Sequence, residues 1–470
     1  MLVRRPNLDG GKSKMPLLKK LFWLYFLLLI FEGALRKWFL QPLAAPLLLV
    51  RDPVALLIVL EAFRTNKWPA RWSTITGVLA VMMVSLCVAQ IIMMDNPWVA
   101  ALYGLRSYLL PFPVAFIMGE NLDREDLRKL GVFTLWILLP MTLLEAIQYR
   151  SSPDAFVNNG AYEGARQIFY VGVHVRASGT FSFVTGSTCF GPFVAAFLFY
   201  GLAVEKFAKK WLLWAGLAAL VLSIPVVGSR AMVLCIGAVV ACAAVAAMFG
   251  VAQSIKAVKV LAPLAAVFVL VSFLPIFSQA TASLKQRSGA SYAAEGGVRQ
   301  SIESRIFGAM FAGLGEIDLI KPPLGIGMGQ GANAIAKLLT GKVQFVAGEG
   351  EFDRVVTEMG PYIGIAFMLF RCFLIFWILR QALARAAEHD PLALLLFPMV
   401  FLTMFTGVLE QPTDQGFMVT SLGFSLAAIR PSKIAVVPAH KRGAGAVSRG
   451  PMVPNKRTQP RFRRGSAGQL

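Results

Sequence analysis

Apolar runs of about 18 or more residues recur along the whole chain, and each is long enough to cross a bilayer as a helix. In lipid a backbone has to satisfy its own hydrogen bonds, so only helices and closed barrels span membranes. The runs lack the period-two alternation of polar and apolar residues that barrel strands carry. The sequence therefore predicts an all-α, polytopic membrane protein with about twelve transmembrane helices.

Composition and hydropathy define the predicted spans. Of the 470 residues, 57% are hydrophobic and only 15% are charged, against about 25% charged in a soluble domain. We predict spans at residues 20–38, 43–62, 74–94, 98–118, 130–148, 180–203, 211–228, 231–251, 258–277, 360–380, 391–409 and 416–429. A large connection, residues 278–359, separates the ninth span from the tenth.

The basic residues predict the orientation of these spans. Much of the net charge of +21 lies in the two tails and in alternate connections. The connections concerned contain Arg64, Lys67, Arg71, Arg124, Arg128, Lys129, Lys206, Lys209, Lys210, Lys256, Lys259, Arg380 and Arg385. Because cytoplasmic loops are rich in Lys and Arg, both termini are predicted in the cytoplasm of a bacterial inner membrane, with residues 278–359 on the periplasmic side. This distribution, without any nucleic-acid-binding motif, argues against a nucleic-acid partner.

Three regions follow from this pattern. Residues 1–19 form a cytoplasmic tail, residues 20–429 the membrane domain, and residues 430–470 a second cytoplasmic tail. The second tail is rich in Pro, Gly, Arg and Lys, and we predict that it is disordered and contacts at most anionic lipid headgroups. The five cysteines lie in apolar segments without metal-ligand or CxxC spacing, which predicts buried free thiols.

Ionisable residues inside the predicted spans are candidates for a functional or structural role, because inserting one at the bilayer centre costs about 2.5–3.5 kcal/mol. These residues are Glu32, Arg36, Arg51, Asp52, Arg106 and Glu145. Together with acids and arginines of the outer connections, they predict a polar site that opens outward. Arginine binds phosphate through bidentate hydrogen bonds, and a neighbouring carboxylate can take a proton from a hydroxyl. The cluster therefore favours an amphiphilic, phosphate-bearing substrate such as a lipid pyrophosphate.

Simpler interpretations of some of these residues stay open. Arg51 and Asp52 are also consistent with a mutual ion pair at a helix bend. The spacings Glu351–Arg354 and Arg354–Glu358 are those of helical surface pairs, which contribute only about 0.2–0.5 kcal/mol each.

A glycine-rich segment, Gly325-Ile-Gly-Met-Gly-Gln-Gly331, lies in the large outer connection. It has no flanking βαβ unit, so it gives little support to nucleotide binding. A flexible turn and a backbone nest for a phosphate both remain open for it.

Three outer segments carry a resemblance when they are taken in order. They are Arg176-Ala-Ser-Gly-Thr-Phe181, then Gly228-Ser-Arg-Ala-Met-Val-Leu234 with its Arg-x-x-x-Leu spacing, then Pro323-Leu-Gly-Ile-Gly-Met-Gly329 through Gly348-Glu-Gly-Glu-Phe-Asp-Arg354 to Thr357-Glu-Met-Gly360. In order and spacing they resemble the superfamily of O-antigen ligases and Wzy-type polysaccharide polymerases. The segment Phe31-Glu-Gly-Ala-Leu-Arg-Lys-Trp38 is similar to exopolysaccharide polymerases of this kind.

The resemblance implies a GT-C-like fold and a membrane glycosyltransferase that uses no metal and no cofactor. Such an enzyme polymerises undecaprenyl-pyrophosphate-linked oligosaccharide units into an exopolysaccharide or O-antigen, so its donor and acceptor are both lipid-linked. Membrane lipids, a chain-length regulator and a flippase are the further partners implied. Two alternatives stay open: an O-antigen or cell-wall polymer ligase with another acceptor, and a transporter of polysaccharide or lipid-linked sugar.

The resemblance also implies roles for particular residues. Arg230 and Arg176 would hold the pyrophosphate, with added contributions from Arg51, Arg106 and Arg354. Ligases carry a histidine where this chain has Glu349, which favours a polymerase and leaves the catalytic base open. The candidate bases are Glu351 first, then Glu349 and Asp353. One outer histidine and scattered acids do not form a metal-ligand cluster, so no metal site is predicted.

Overall fold

The structure of this protein is a computed structural model, and it describes residues 16–161, 170–171, 174–249, 322–332, 335 and 350–431. The helices are α1 (Leu17–Ala34), α2 (Ala44–Leu47), α3 (Arg51–Arg64), α4 (Ala70–Met93), α5 (Trp98–Tyr108), α6 (Pro111–Asn121), α7 (Arg124–Arg150), α8 (Val184–Ala203), α9 (Lys210–Val227), α10 (Arg230–Met248), α11 (Glu351–Ala387), α12 (Leu392–Phe401) and α13 (Pro412–Ile429). Two short strands, β1 (Tyr170–Val171) and β2 (His174–Val175), pair antiparallel. Single π-helical turns, Leu35–Phe39 and Leu402–Thr406, extend α1 and α12.

Eight helical segments of the described chain are long and apolar enough to cross a membrane. They are Gln41–Arg64, Ala70–Met93, Trp98–Asn121, Arg124–Arg150, Val184–Ala203, Lys210–Val227, Arg230–Met248 and Glu351–Ala387. The prediction of an all-α, multi-pass membrane protein is therefore confirmed. The ninth predicted span (258–277), most of the connection 278–359 and most of both predicted tails lie outside the described residues.

The core of the membrane domain is built around α8 and α13. Every residue of α13 from Asp414 to Ile429 is buried, and the helix packs against α6, α8 and α12. Phe193 of α8 contacts Phe424 of α13, with ring centroids 5.7 Å apart. Gly423 allows α6 to approach closely, since a Cβ there would lie 2.8 Å from the Cβ of Met118. Because α13 is enclosed along its length, its first residues lie at the centre of one end of the helix assembly.

The predicted basic connections that lie in the described part of the chain meet at one end, which we call the basic end. Lys19 of α1 donates to Asp123 at 2.8 Å, and Arg124 pairs with Asp390 ahead of α12. Asp123 caps α7 in a reciprocal capping box with Asp126. Burial tends to raise the pKa of Asp123, yet hydrogen bonds from Lys19 and from the backbone of Asp126 lower it to about 2. These contacts tie α1, α7 and α12 together at this end.

The opposite end, which we call the polar end, collects the ionisable residues of the predicted spans. Hydrogen bonds there join residues 32–52 to the segments 178–182 and 412–416. Others join the end of α4 to residues 324–328, and α11 to residues 404–410. The helices therefore alternate in direction so that acids and arginines distant in sequence share one end.

Candidate functional site

The polar end is organised by residues 407–415, which lead from α12 into α13 and are called the 407–415 segment below. Its backbone carbonyls accept hydrogen bonds from arginines of two other helices. The carbonyl of Gly407 accepts from Arg371 at 3.1 Å, and that of Pro412 accepts from Arg51. One short segment thus fixes charged side chains from α3 and α11.

Helix α11 bends back on itself at Gly360, where φ is 78° and ψ is 164°. Arg371 and Glu351 lie 20 residues apart in sequence, yet their side chains form an ion pair with an N–O distance of 2.5 Å. At a rise of 1.5 Å per residue, Glu351 and Arg371 lie roughly 13–17 Å along their arms from the bend, so the arms 351–359 and 361–387 form a hairpin. The predicted span 360–380 corresponds to the long arm, and the short arm was not predicted.

Glu351, the first candidate base, is enclosed by this hairpin. The side chains of Glu351 and Arg371 are 1% and 0% exposed. Arg371 also donates to the carbonyls of Met404 at 2.7 Å and Gly407 at 3.1 Å. Glu351 accepts a further hydrogen bond from the N–H of Leu409 at 3.3 Å. The carboxylate therefore anchors the hairpin to the 407–415 segment and does not face an open surface.

Arg354 pairs across helices and not along its own. Its Nη1 donates to Oε2 of Glu410 at 2.9 Å and to the carbonyl of Gly331 at 2.8 Å. The spacing-based pairs with Glu351 and Glu358 are therefore wrong, because the hairpin turns Arg354 toward the 407–415 segment. Burial raises the pKa of Glu410, while the guanidinium of Arg354 acts in the opposite direction.

The glycine-rich segment 325–331 folds around the carboxylate of Glu358. The N–H of Gly329 donates to Oε2 at 2.9 Å, and the N–H of Gly331 donates to Oε1 at 2.8 Å. The hydroxyl of Tyr108 donates to Oε2 at 3.1 Å. The φ angles are 72° at Gly325, 121° at Gly327 and 82° at Gly329, a range that favours glycine. The backbone nest considered for a phosphate is thus occupied by a carboxylate of the chain itself.

Gln90, near the end of α4, holds the same segment through its whole amide group. Its Nε2 donates to the carbonyls of Leu324 at 2.6 Å and Glu358 at 2.7 Å, and its Oε1 accepts from the N–H of Met328 at 2.8 Å. The side chain is completely buried. Sequence reasoning missed this residue, although a lone amide at the end of an apolar span was an available signal.

The ionisable residues of α1 and α3 form a second set of ion pairs. Glu32 accepts from Arg51 at 3.0 Å and from Arg36 at 3.5 Å. Asp52 accepts instead from Arg106 of α5 at 2.7 Å. The mutual Arg51–Asp52 pair is therefore wrong, because neighbours in sequence at the start of a helix point toward different helices.

Lys37 links α1 to the first of the resembling segments, residues 176–181. Its Nζ donates to Oγ of Ser178 at 3.0 Å and to the carbonyl of Gly179 at 2.7 Å. Gln148 of α7 binds the same two residues, accepting from their N–H groups at 3.2 and 2.8 Å. Neither Lys37 nor Gln148 was selected from the sequence, and together they hold this segment in place.

Arg176 and Arg230 come together at the turn between α9 and α10. Arg176 donates through Nε to the carbonyl of Val227 at 3.1 Å. Gly228, with φ of 59°, ends α9 in the left-handed conformation, and the hydroxyl of Ser229 caps α10, whose first residue is Arg230. Both arginines are partly exposed. The structure therefore brings to one turn the two residues that the motifs imply for a pyrophosphate.

The remaining candidates differ in accessibility. Arg51, Arg106 and Arg354 are each paired with a carboxylate and are largely buried. Asp353, in the first turn of α11, is partly exposed and receives a hydrogen bond from Thr357 at 3.5 Å. Glu349 lies outside the described residues. Of the two candidate bases that the structure describes, Asp353 is the one left open to a substrate.

Comparisons with known proteins return no match, neither to a family model nor to a curated protein. Within the described ranges, no group of three or more His, Cys, Asp or Glu side chains is placed to hold a metal ion. Two partly exposed arginines can bind a phosphate, and a partly exposed carboxylate can accept a proton.

Proposed function

We propose that this protein is a metal-independent membrane glycosyltransferase of the polymerase type, with a GT-C-like fold. Its substrates are undecaprenyl-pyrophosphate-linked oligosaccharide repeat units, which it joins into an exopolysaccharide or O-antigen. The meeting of Arg176 and Arg230 at one partly exposed turn of the polar end carries the proposal. Two guanidinium groups at one turn suit a pyrophosphate, because each donates paired hydrogen bonds to phosphate oxygens and keeps its charge.

In the proposed reaction, the terminal hydroxyl of one lipid-linked unit attacks the anomeric carbon of a second. A new carbon–oxygen bond forms while the bond from that carbon to the pyrophosphate oxygen breaks, which inverts the configuration. Arg176 and Arg230 stabilise the negative charge that develops on the departing lipid pyrophosphate. The proton of the attacking hydroxyl passes to a carboxylate at the polar end.

We assign the role of this base to Asp353. Glu351 is engaged by Arg371 and by the N–H of Leu409 inside the α11 hairpin, so its carboxylate serves to hold the site together. Asp353 lies two residues further on the same short arm, where it is partly exposed. Arg354, beside it in sequence, is anchored on Glu410, and this hydrogen bond supports the orientation of the short arm.

Replacing Arg230 with alanine tests the proposal directly. We expect polymer formation to fall by at least about 100-fold, because one of the groups that stabilise the leaving charge is lost. The purified protein is reconstituted with a lipid-linked oligosaccharide, and the products are separated by chain length on a gel. Arg150→Ala, an exposed arginine at the same end, is the matched control and should retain its ladder.

Each outcome of this assay separates the candidate functions. A ladder from wild type and from Arg150→Ala, but not from Arg230→Ala, supports the polymerase. A donor that is consumed only when a lipid A or cell-wall acceptor is added identifies a ligase. A donor that remains intact under every condition favours a transporter, and full activity of Arg230→Ala removes this arginine from the site.

We further propose that the polar end faces the periplasm and the basic end the cytoplasm of a bacterial inner membrane. Ser152 is exposed beyond the end of α7, and Lys209 is exposed just ahead of α9. We expect Ser152→Cys to react with a membrane-impermeant maleimide in intact spheroplasts, and Lys209→Cys only after lysis. The native cysteines, measured in wild type, provide the background. Labelling in the reverse order would invert the topology and place the site in the cytoplasm.

A further inference from the structure

Two carboxyl groups meet behind the glycine-rich segment. The side chains of Glu358 and Glu410 are within hydrogen-bonding contact of each other. Glu358 is 0% exposed and Glu410 is 3% exposed. Two adjacent carboxylates in a buried site cannot both stay ionised without a large electrostatic cost, so one of the pair keeps a proton.

The donors around Glu358 identify it as the ionised member. Its two oxygens accept three hydrogen bonds, from the N–H groups of Gly329 and Gly331 and from the hydroxyl of Tyr108. Backbone N–H groups are always donors, and a protonated carboxyl would set its own donor against them. A carboxylate that accepts several backbone hydrogen bonds is stabilised in its charged form.

The surroundings of Glu410 fit the protonated member. Its Oε2 accepts from Arg354 at 2.9 Å. Its Oε1 is buried, and no donor reaches it from any residue that the structure describes. A proton on Oε1 gives this atom a partner, because it can then donate to Glu358. Burial raises the pKa of Glu410, while Arg354 and the contact with Glu358 act in the opposite direction.

We infer that Glu410 carries a proton at neutral pH and donates it to the ionised Glu358, so that one shared proton keeps the glycine-rich segment closed on the short arm of α11. The titratable and charged groups facing the pair are Arg354 and Glu351 of α11, Tyr103 and Tyr108 of α5. The N–H of Gly331 donates to Glu358, and its carbonyl accepts from Arg354. By holding Glu358 against the glycine-rich segment, the shared proton therefore also sets the position of Arg354. The inference does not depend on the proposed reaction.

Opposite responses of the two carboxyls to amide substitution test the inference. Glu410→Gln keeps a donor toward Glu358 and an acceptor for Arg354, so its melting temperature at pH 7 should equal that of wild type. Glu358→Gln keeps an acceptor for only one of the two N–H groups and places its amide donor against the other, so it should lower the melting temperature by about 3 °C or more. Glu120→Gln, an exposed glutamate at the basic end, is the control and should produce no shift.

The pH dependence provides a second readout with a defined sign. A carboxyl with a raised pKa in the folded state contributes stability that is complete below its unfolded pKa and is lost as pH rises through the folded pKa. Wild type should therefore lose more stability between pH 6 and pH 9 than Glu410→Gln, which has no proton to release there. Equal slopes for the two proteins would contradict the inference.

Infrared spectroscopy covers the case in which Glu358→Gln does not fold. The difference between the wild-type and Glu410→Gln spectra at neutral pH should contain the C=O stretch of a buried protonated carboxyl. If this band is absent from the difference spectrum, the proton lies on another group and the inference is wrong. The inference is equally wrong if Glu410→Gln unfolds or melts well below wild type, since the amide reproduces the neutral state.

Discussion

Replacing Arg371 with alanine is expected to destabilise the folded protein by about 3–5 kcal/mol, because it leaves the buried carboxylate of Glu351 without its cation. The same change removes the donors to the carbonyls of Met404 and Gly407, where α12 enters the 407–415 segment. The measurement is thermal unfolding of the purified protein in detergent, followed by its tryptophan fluorescence. The yield of monodisperse protein from the membrane fraction should fall in parallel.

Two further variants separate the ion pair from a general effect on α11. Arg380→Ala removes an exposed arginine from the same helix and should change stability by no more than about 0.5 kcal/mol. The double variant Glu351→Met, Arg371→Met replaces both charges with apolar groups of similar length and should recover most of the loss. An Arg371→Ala protein that unfolds at the wild-type temperature would show that the hairpin does not depend on this pair.

Replacing Gly360 with alanine is expected to cost about 3 kcal/mol or more, because this residue forms the bend of α11. Its φ of 78° and ψ of 164° belong to a region that costs a side chain about 1–3 kcal/mol. A Cβ there would also overlap the carbonyl oxygen of Pro323 and lie 2.8 Å from the N atom of Gly325. Since the bend sets Glu351 against Arg371, thermal unfolding and protease resistance should both decline.

Gly77→Ala is the matched control for this substitution. Gly77 lies inside α4, and an added Cβ meets no atom of the described chain within 4 Å. Alanine is a better helix former than glycine by about 0.5–1 kcal/mol, so this variant should be at least as stable as wild type. A Gly360→Ala protein as stable as Gly77→Ala would contradict the prediction, because it would mean that α11 runs as one straight helix without the bend at residue 360.

Much of the architecture follows from local sequence signals. In the described ranges, every predicted span is helical over most of its length, although spans 43–62 and 98–118 each contain two helices. The alternating basic connections, such as those around Lys67 and Arg128, are found at one end. The two arginines implied by the resemblance, Arg176 and Arg230, lie at one turn, since Gly228 and Ser229 form a recognisable helix end and start.

Several buried charges have partners that local spacing does not predict, whereas Arg36 does pair with Glu32 four residues before it. Arg354 pairs with Glu410 and not with its i+4 neighbour Glu358. Glu351 pairs with Arg371 because of a backward bend that a helical pattern does not reveal. In the sequence, Gly360 followed by Pro361 at a span boundary indicates the start of a helix and not a backward bend.

The sequence by itself determined which segments form apolar helices and which end of the assembly receives the ionisable residues, because both depend on hydropathy and charge counted along the chain. Only the tertiary structure decided that Glu358 occupies the glycine nest, that Gln90 holds it closed, and that Glu351 lies inside a hairpin. Partner choice depends on which helices are neighbours and how each is rotated. Those variables are set by the packing around α8 and α13, where residues far apart in sequence come within hydrogen-bonding distance.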